Sequence, residues 1–128
     1  MIKIRYAEFK DIEQIVDVNL KTWRTTYTGI VNEDFLLKLE MGRDDKVKRS
    51  KDNFGKREIE GRKIYDCVAT DGENIVGMLT YGKCRDEDKL GLSNCGEVYA
   101  IYILKEYQQK GIGKKLINFA IEDLANEN

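Results

Sequence analysis

The chain has 128 residues, of which 35% are charged, and its 22 Lys and Arg against 23 Asp and Glu leave a formal net charge of −1. A chain of this length predicts one domain, residues 1–128, and the near balance of charge provides no overall field to attract nucleic acid or a membrane. The absence of His excludes Ser-His and Cys-His nucleophile pairs, and three scattered Cys (67, 84 and 95) argue against a disulfide framework or a metal site.

The first part of the chain predicts a strand and a helix. Residues 2–6 alternate apolar and charged side chains, which is typical of a half-buried strand. Asp11 is expected to cap the helix, with Gln14 completing a capping box. Apolar residues from Ile12 to Trp23 then recur at helical spacing, so the helix should extend to about residue 24.

A second helix and a charged segment follow. After a linker at residues 25–31, Asn32 is expected to cap a helix with Phe35, Leu36 and Leu39 on its apolar face that reaches about Val47. Residues 42–63 contain nine Lys or Arg and five Asp or Glu. We interpret them as a solvated helix face and loop, because a nucleic-acid surface would need interleaved aromatic residues.

Three strands and a helix make up the rest of the chain. Residues 64–70 and 75–84 are apolar-rich and flank Asp71-Gly72-Glu73-Asn74, which predicts a hairpin. Residues 85–96 are polar and predict a loop. Residues 97–104 are almost wholly apolar, which predicts a central strand covered on both faces. A helix should span residues 111–125, so the order β-α-α-β-β-β-α predicts an α/β sandwich.

The sharpest motif is the turn Tyr107-Gln108-Gln109-Lys110-Gly111-Ile112-Gly113, between the last strand and the last helix. Two glycines let the backbone approach a ligand, and the first helical amides and the helix dipole favour an anion. Lys110, Lys114 and Lys115 add positive charge. The turn therefore predicts a phosphate site, although it lacks the residues of a P-loop or a Rossmann turn.

This turn resembles the Q/R-x-x-G-x-G/A motif of the GNAT acetyltransferase superfamily, matched by Gln108, Gly111 and Gly113. The strand before it looks like the family's fourth strand. IRYAEFKDIEQI is similar to the family's first strand and helix, and TWRTTYTGIVNEDFL to a segment of many bacterial members. The resemblance spans essentially the whole chain. It implies an α/β fold with a mixed, mainly antiparallel sheet flanked by helices, and acetyl-CoA as the acetyl donor.

The resemblance also implies roles for individual residues. In the family, the amides of this turn bind the pyrophosphate of acetyl-CoA, and the preceding strand binds the pantetheine arm through its backbone. One of those strand amides could also polarise the acetyl carbonyl. The implied cofactor-binding residues are Ile101, Tyr102, Ile103, Gln108, Gln109, Lys110, Gly111, Ile112, Gly113 and Lys114.

Glu97 is the candidate catalytic base. It is the one charge at the start of an apolar strand, where desolvation would raise its pKa, and it matches the catalytic glutamate of the superfamily's histone acetyltransferases. The alternative is a strand-end charge that faces solvent. Trp23 and Tyr27 are candidate walls of the acceptor site, with Glu33 and Asp34 beside them. Trp23 also continues the apolar stripe of the first helix and would then be a core residue.

The chain departs from the family in several places. Members normally continue into another strand, a helix and a closing hairpin, whereas this chain ends at Asn128. We therefore expect a truncated chain, or a homodimer in which a second copy covers the exposed strand edge. No Tyr follows the turn, so no general acid is assigned. Lys105 and Gln109 stand where the family often has Pro and Gly.

Three functions are weighed. The first is an N-acetyltransferase that acetylates an amine of a small molecule or peptide in a ternary complex. The second is a non-catalytic module that binds coenzyme A without turnover. The third, an RNA-binding protein, conflicts with the near-zero net charge. The sequence has no signal peptide and no run of about 18 apolar residues, which predicts a cytoplasmic protein that does not bind membranes.

Overall fold

The computed structural model describes residues 1–59, 61–84 and 96–126. The loop predicted at residues 85–96 lies outside the described residues, as does Cys95, except that Gly96 begins a strand. The elements are β1 (Ile2–Tyr6), α1 (Ile12–Tyr27), α2 (Glu33–Met41), α3 (Arg43–Asp52), β2 (Glu58–Ile59), β3 (Arg62–Asp71), β4 (Asn74–Lys83), β5 (Gly96–Ile103) and α4 (Ile112–Asn126).

One antiparallel sheet organises the described residues. Its strand order is β1-β3-β4-β5, and the short β2 pairs with the start of β3. The predicted hairpin at residues 71–74 is confirmed, because Asp71 pairs with Asn74 at the turn between β3 and β4. A register shift between Thr80 and Tyr81 leaves one extra residue, Tyr99, in β5.

Helices cover both faces of the sheet. Val68 and Met78 pack with Val18 of α1 on one face, whereas Cys67 and Leu79 pack with α4 on the other. These two sets of residues lie on different faces because successive side chains along a strand point to opposite faces of the sheet. The fold is therefore the predicted α/β arrangement of a mainly antiparallel sheet between helices. None of the helices in the described ranges is long and apolar enough to span a bilayer.

The predicted second helix is wrong in its extent. The segment forms two helices, α2 and α3, which meet at Gly42. Gly42 has φ −84° and ψ 8°, away from helical values, so the chain changes direction there. Leu36 and Val47 are nevertheless both buried, because the break lets each helix turn its apolar side inward.

The predicted capping box at Asp11 is also wrong. The Asp11 carboxylate makes no side-chain cap for α1 but accepts two hydrogen bonds from Arg5, at 2.6 and 3.0 Å, and one from the Glu8 amide at 2.7 Å. Gln14 instead accepts a hydrogen bond from the amide of Ile75 at 2.9 Å. The reason is burial, because Asp11 is only 3% exposed and a buried carboxylate requires a charged partner.

The prediction that residues 97–104 form a central strand is wrong for the described residues. There β5 is the last strand of the sheet, paired only with β4. Val98 and Ile101 remain 42% and 40% exposed. An apolar run indicates that a strand packs against other groups, but its place in the sheet depends on pairing, which composition does not encode.

Candidate functional site

The glycine-rich turn connects β5 to α4. Gln109 and Gly111 adopt left-handed backbone angles, with φ of 62° and 80°. The first helical hydrogen bond runs from the Lys115 amide to the Gly111 carbonyl at 3.2 Å. The amides of residues 112–114 therefore have no carbonyl partner within the helix and are available to an anion.

Contacts to neighbouring elements fix the shape of the turn. The Tyr107 amide donates to the Leu104 carbonyl at 2.8 Å, and the Tyr107 hydroxyl donates to the Asp71 carboxylate at 2.7 Å. The second bond raises the pKa of Tyr107 and lowers the pKa of Asp71. Ile112 is buried under the sheet at 2% exposure. The turn is thus held from both sides before any ligand binds.

The backbone of β5 offers hydrogen-bonding groups beside this turn. The Leu104 amide donates to the Val76 carbonyl at 2.9 Å, and bonds to a partner strand alternate along an antiparallel pair. Tyr102 therefore bonds toward β4, whereas the amides and carbonyls of Ile101 and Ile103 point to the open edge. Consistent with this, the Gln108 side chain donates to the Ile103 carbonyl at 3.0 Å.

The first turn of α4 lies directly on β5. A Cβ atom at Gly113 would lie 3.4 Å from Ile103 Cδ1 and 3.8 Å from Ile101 Cδ1. The turn and the open strand edge are therefore neighbours and form one continuous surface. The side chains of Gln109, Lys110 and Lys114 are exposed around it, and Lys110 lies 5.5 Å from the centre of the Tyr107 ring.

Glu97 lies at the opposite end of β5. It pairs with Gly82 of β4 and is half-buried. A Cβ atom on the preceding residue, Gly96, would point at Leu124 of α4, so Glu97 faces the α1 side of the sheet. Four residues separate Glu97 from Ile101, a distance of about 13 Å along a strand.

The proposed acceptor walls lie at the junction of α1 and α2. Trp23 is 4.5 Å from Tyr27 and 6.0 Å from Phe35 between ring centres, so the three rings form one cluster. Next to it, Arg24 donates to Glu33 at 2.7 Å and to Glu40 at 2.6 Å. Glu33 is thus an ion-pair partner of Arg24. Asn32 caps α2 as predicted, because its side chain accepts from the Asp34 amide at 2.7 Å.

Two clefts are features that the sequence analysis missed. One of about 410 Å³ lies between α1 and residues 104–106, beside the turn, and includes Arg24 and Glu40. The other, of about 650 Å³, lies between α1, α3 and the sheet. Both are lined by residues far apart in the chain, so no local pattern could have identified them. Within the described residues, no cluster of three or more His, Cys, Asp or Glu could hold a metal ion.

Sequence comparisons with known proteins find acetyltransferases. Residues 26–128 match the family model described as Acetyltransferase (GNAT) family. The uncharacterized N-acetyltransferase YuaI of Bacillus subtilis is 33% identical over 118 residues, which are 91% of this chain and 61% of YuaI. Spermidine N(1)-acetyltransferase of Thermoplasma acidophilum is 23% identical over 91% of this chain and 66% of its own length. The chain thus spans about three-fifths to two-thirds of these relatives.

Solved structures share the fold. The PaiA N-acetyltransferase of Thermoplasma acidophilum, in complex with coenzyme A, superposes with a TM-score of 0.70 at 22% identity, over 99% of this chain and 74% of that one. PH1933 of Pyrococcus horikoshii gives a TM-score of 0.64 at 25% identity, over 100% of this chain and 74% of that one.

Proposed function

Because this chain belongs to the GNAT acetyltransferase family, we propose that it takes the acetyl group of acetyl-CoA and transfers it to a primary amine within a ternary complex. The observation that carries the proposal is the turn at residues 108–113, whose amides lie beside the open edge of β5. We also propose that residues 1–128 act as one domain, although the relatives continue beyond the matched length.

The residues of the turn fit a diphosphate group. The amides of Ile112, Gly113 and Lys114 have no carbonyl partner within the helix and face its amino-terminal end. Lys110 and Lys114 supply positive charge nearby. Along the open edge, the backbone of Ile101 and Ile103 would bind an extended pantetheine arm as an added strand. The bound donor supplies an activated thioester, and these groups hold it in place.

Glu97 is proposed as the general base. An alkylammonium group with a pKa near 10.4 must lose a proton before its nitrogen can attack a thioester. Glu97 is half-buried at the start of β5, on the face opposite to α4. In the transfer, the amide C–N bond forms as the C–S bond breaks, one proton leaves the amine, and the coenzyme A thiolate takes up one proton. Trp23 and Tyr27 are proposed to line the path of the amine.

The first experiment follows free thiol release from acetyl-CoA with a panel of primary amines. Acetyl-CoA at 100 times its dissociation constant should stabilise the fold by about 2.7 kcal/mol, visible as a higher melting temperature. Binding without release of thiol with any amine would favour the alternative function, a non-catalytic coenzyme A-binding module. A melting temperature that acetyl-CoA leaves unchanged would contradict both functions.

The second experiment tests Glu97. We expect Glu97→Gln to lower turnover by about 10²-fold or more, because general base catalysis typically contributes that much, and to leave the thermal shift by acetyl-CoA intact. Glu122→Gln, an exposed acid on α4, is the matched control and should retain turnover. Equal turnover in the wild type and Glu97→Gln would exclude the role.

A homodimer is proposed through the surface of α4 that borders the open edge of the sheet, so that the edge backbone of Ile101 and Ile103 stays available to the donor. Ile117 and Ile121 are exposed and follow Gly113 at intervals of four residues, so they form one stripe on α4 next to Ile101. An apolar stripe beside a strand edge that has no neighbouring strand among the described residues favours association with a second copy of the chain.

A further inference from the structure

The proposed function leaves the cleft of about 650 Å³ unused. It lies on the α1 side of the sheet, the same side as Glu97, and α3 forms its outer wall. Its volume falls in the range of small-molecule sites, which is roughly 300–1,000 Å³. Ile12 and Val16 of α1, Ile64 and Met78 of the sheet, and Phe54 give it an apolar floor.

Positive charge dominates the rim of this cleft. Lys46, Arg49, Arg57 and Lys63 line it, whereas the only described carboxylate in its lining is that of Asp66. Asp66 is already engaged, because it accepts from Arg57 at 2.5 Å and from the Thr80 hydroxyl at 2.6 Å. The cleft therefore carries positive charge that its own acidic group does not balance.

Lys46 and Arg49 are the cations best placed for a ligand. The Lys46 ammonium donates to Asn19 at 2.7 Å, and among the described residues neither Lys46 nor Arg49 forms an ion pair with an acid. Burial lowers the pKa of Lys46, and the neighbouring Arg49 lowers it further. A partly buried ammonium without a counter-charge is costly, and an anion bound between these two side chains would remove that cost.

The sheet connects this cleft to the proposed base. Ile64 pairs with Gly82, and Gly82 pairs with Glu97, so the three residues lie side by side across β3, β4 and β5 on one face. With about 4.8 Å between strands, Glu97 lies about 10 Å from the cleft wall. Between them, Gly82 lacks a side chain, and the Tyr99 ring lies 3.1 Å from the position that a Cβ atom there would take.

We propose that this cleft binds the end of the acceptor that lies far from the reacting amine, and that this end is anionic. The proposal rests on the proposed acetyl transfer. The acceptor is then a primary amine joined through an apolar body to a carboxylate or phosphate. The anion lies between Lys46 and Arg49, the apolar body lies on the floor of the cleft, and the amine reaches toward Glu97. A polyamine would place a second cation against this positively charged rim.

The test compares two acceptors that differ in one group. Nα-benzoyl-L-lysine and Nα-benzoyl-L-lysinamide share the ring and the primary amine, but only the first has a carboxylate. We expect kcat/KM to be about tenfold or more higher for the carboxylate, and Arg49→Gln to reduce this ratio about tenfold. Lys48→Gln, which changes an exposed lysine of α3 outside the cleft, is the control and should preserve the ratio.

A binding measurement separates this proposal from acetyl transfer. Nα-benzoyl-L-norleucine has the ring and the carboxylate but no amine, so calorimetry should detect its binding to the wild type and a loss of about tenfold in affinity with Arg49→Gln. If it binds while no amine is acetylated, anion binding in the cleft stands and the proposed transfer fails. If amines are acetylated but the amide or spermidine is preferred, the cleft proposal is overturned.

Discussion

Gly111 and Gln109 give the turn its shape at the scale of single residues. Both have positive φ, a conformation that costs most L-residues roughly 1–2 kcal/mol but costs glycine almost nothing. Gly111 therefore avoids the cost, whereas Gln109 bears it at a position where the family often has Gly. The motif indicated a tight turn at Gly111, and the Gly that the family often has at position 109 was the one sign that Gln109 would share its backbone conformation.

Two alanine substitutions distinguish the effect of backbone strain at Gly111 from the effect of an added side chain at Gly113. Gly111→Ala should destabilise the fold by about 1–2 kcal/mol, because Ala must adopt φ near 80° although its Cβ would meet no neighbouring atom within 4 Å. Gly113→Ala lies within the helix and should be neutral or stabilise by up to about 1 kcal/mol. Chemical denaturation measures both, and equal losses would contradict the assignment of strain to Gly111.

The lowered pKa of the Asp11 carboxyl predicts that the stability of the fold depends on pH. Burial raises the pKa of its carboxyl, but the hydrogen bonds from Arg5 and Glu8 outweigh burial and leave the pKa below its ordinary value of 3.8. A carboxyl with a lowered folded-state pKa contributes stability above its unfolded pKa, and this contribution is lost as the pH falls through the folded pKa.

Asp11→Asn should therefore cost on the order of 2 kcal/mol at pH 7, and the difference from the wild type should shrink below about pH 4. Urea unfolding at a series of pH values measures both free energies. If the difference in free energy of unfolding between the two proteins stayed constant down to about pH 2, the ion pair with Arg5 would not be the source of that difference.

At the scale of secondary-structure elements, β5 combines three functions. It completes the sheet through hydrogen bonds to β4, supports the first turn of α4, and presents the backbone of Ile101 and Ile103 at its open edge. The alternation of an antiparallel ladder makes this possible, because every second residue bonds to β4 and the others do not.

Proline substitutions at adjacent positions of β5 test this alternation between amides that bond to β4 and amides that point to the open edge. Ile101→Pro removes an amide that points to the open edge, so the chain should still unfold cooperatively while acetyl-CoA raises its melting temperature less. Tyr102→Pro removes an amide that bonds to β4 and should cost about 3 kcal/mol or more. Thermal denaturation with and without acetyl-CoA distinguishes the two. Equal destabilisation by both would show that the ladder register is different.

At the scale of the whole molecule, the sheet separates two kinds of site. The proposed anion-binding turn belongs to β5 and α4, whereas the positively charged cleft lies between the sheet, α1 and α3. Glu97 stands on the same strand as the open edge and on the same face as the cleft. A donor at the turn and an acceptor in the cleft would then approach Glu97 from different sides, as a ternary complex requires.

Association through the α4 surface beside the open edge is the prediction at this scale. Sedimentation velocity should show a mass that rises with protein concentration. Ile121→Lys should shift the equilibrium toward the monomer, because it places a charge in the exposed stripe on α4. Ile30→Lys changes an equally apolar, 76% exposed residue between α1 and α2 and is the control. A wild type that stays monomeric at every concentration would contradict the proposed homodimer.

The sequence by itself determined the elements whose signals are local. The periods of α1 and α4, the hairpin at residues 71–74, the cap at Asn32 and the glycine turn all follow from neighbours within a few residues. Such signals are reliable because a helix or strand must bury one face, and that face repeats with a fixed period. The motif at residues 108–113 belongs to this class, which explains why the family was recognisable from sequence.

Only the tertiary structure decided the features that depend on which surfaces meet. The pairing of Asp11 with Arg5, the bond from Tyr107 to Asp71 and the edge position of β5 all depend on contacts between separate elements. The positively charged cleft gathers residues from Tyr6 to Met78. Its four cations all come from the charged segment 42–63, but only the fold places them around an apolar floor formed by other elements. The physical reason is that periodicity specifies which side chains are buried, whereas their partners are set by strand register and helix packing.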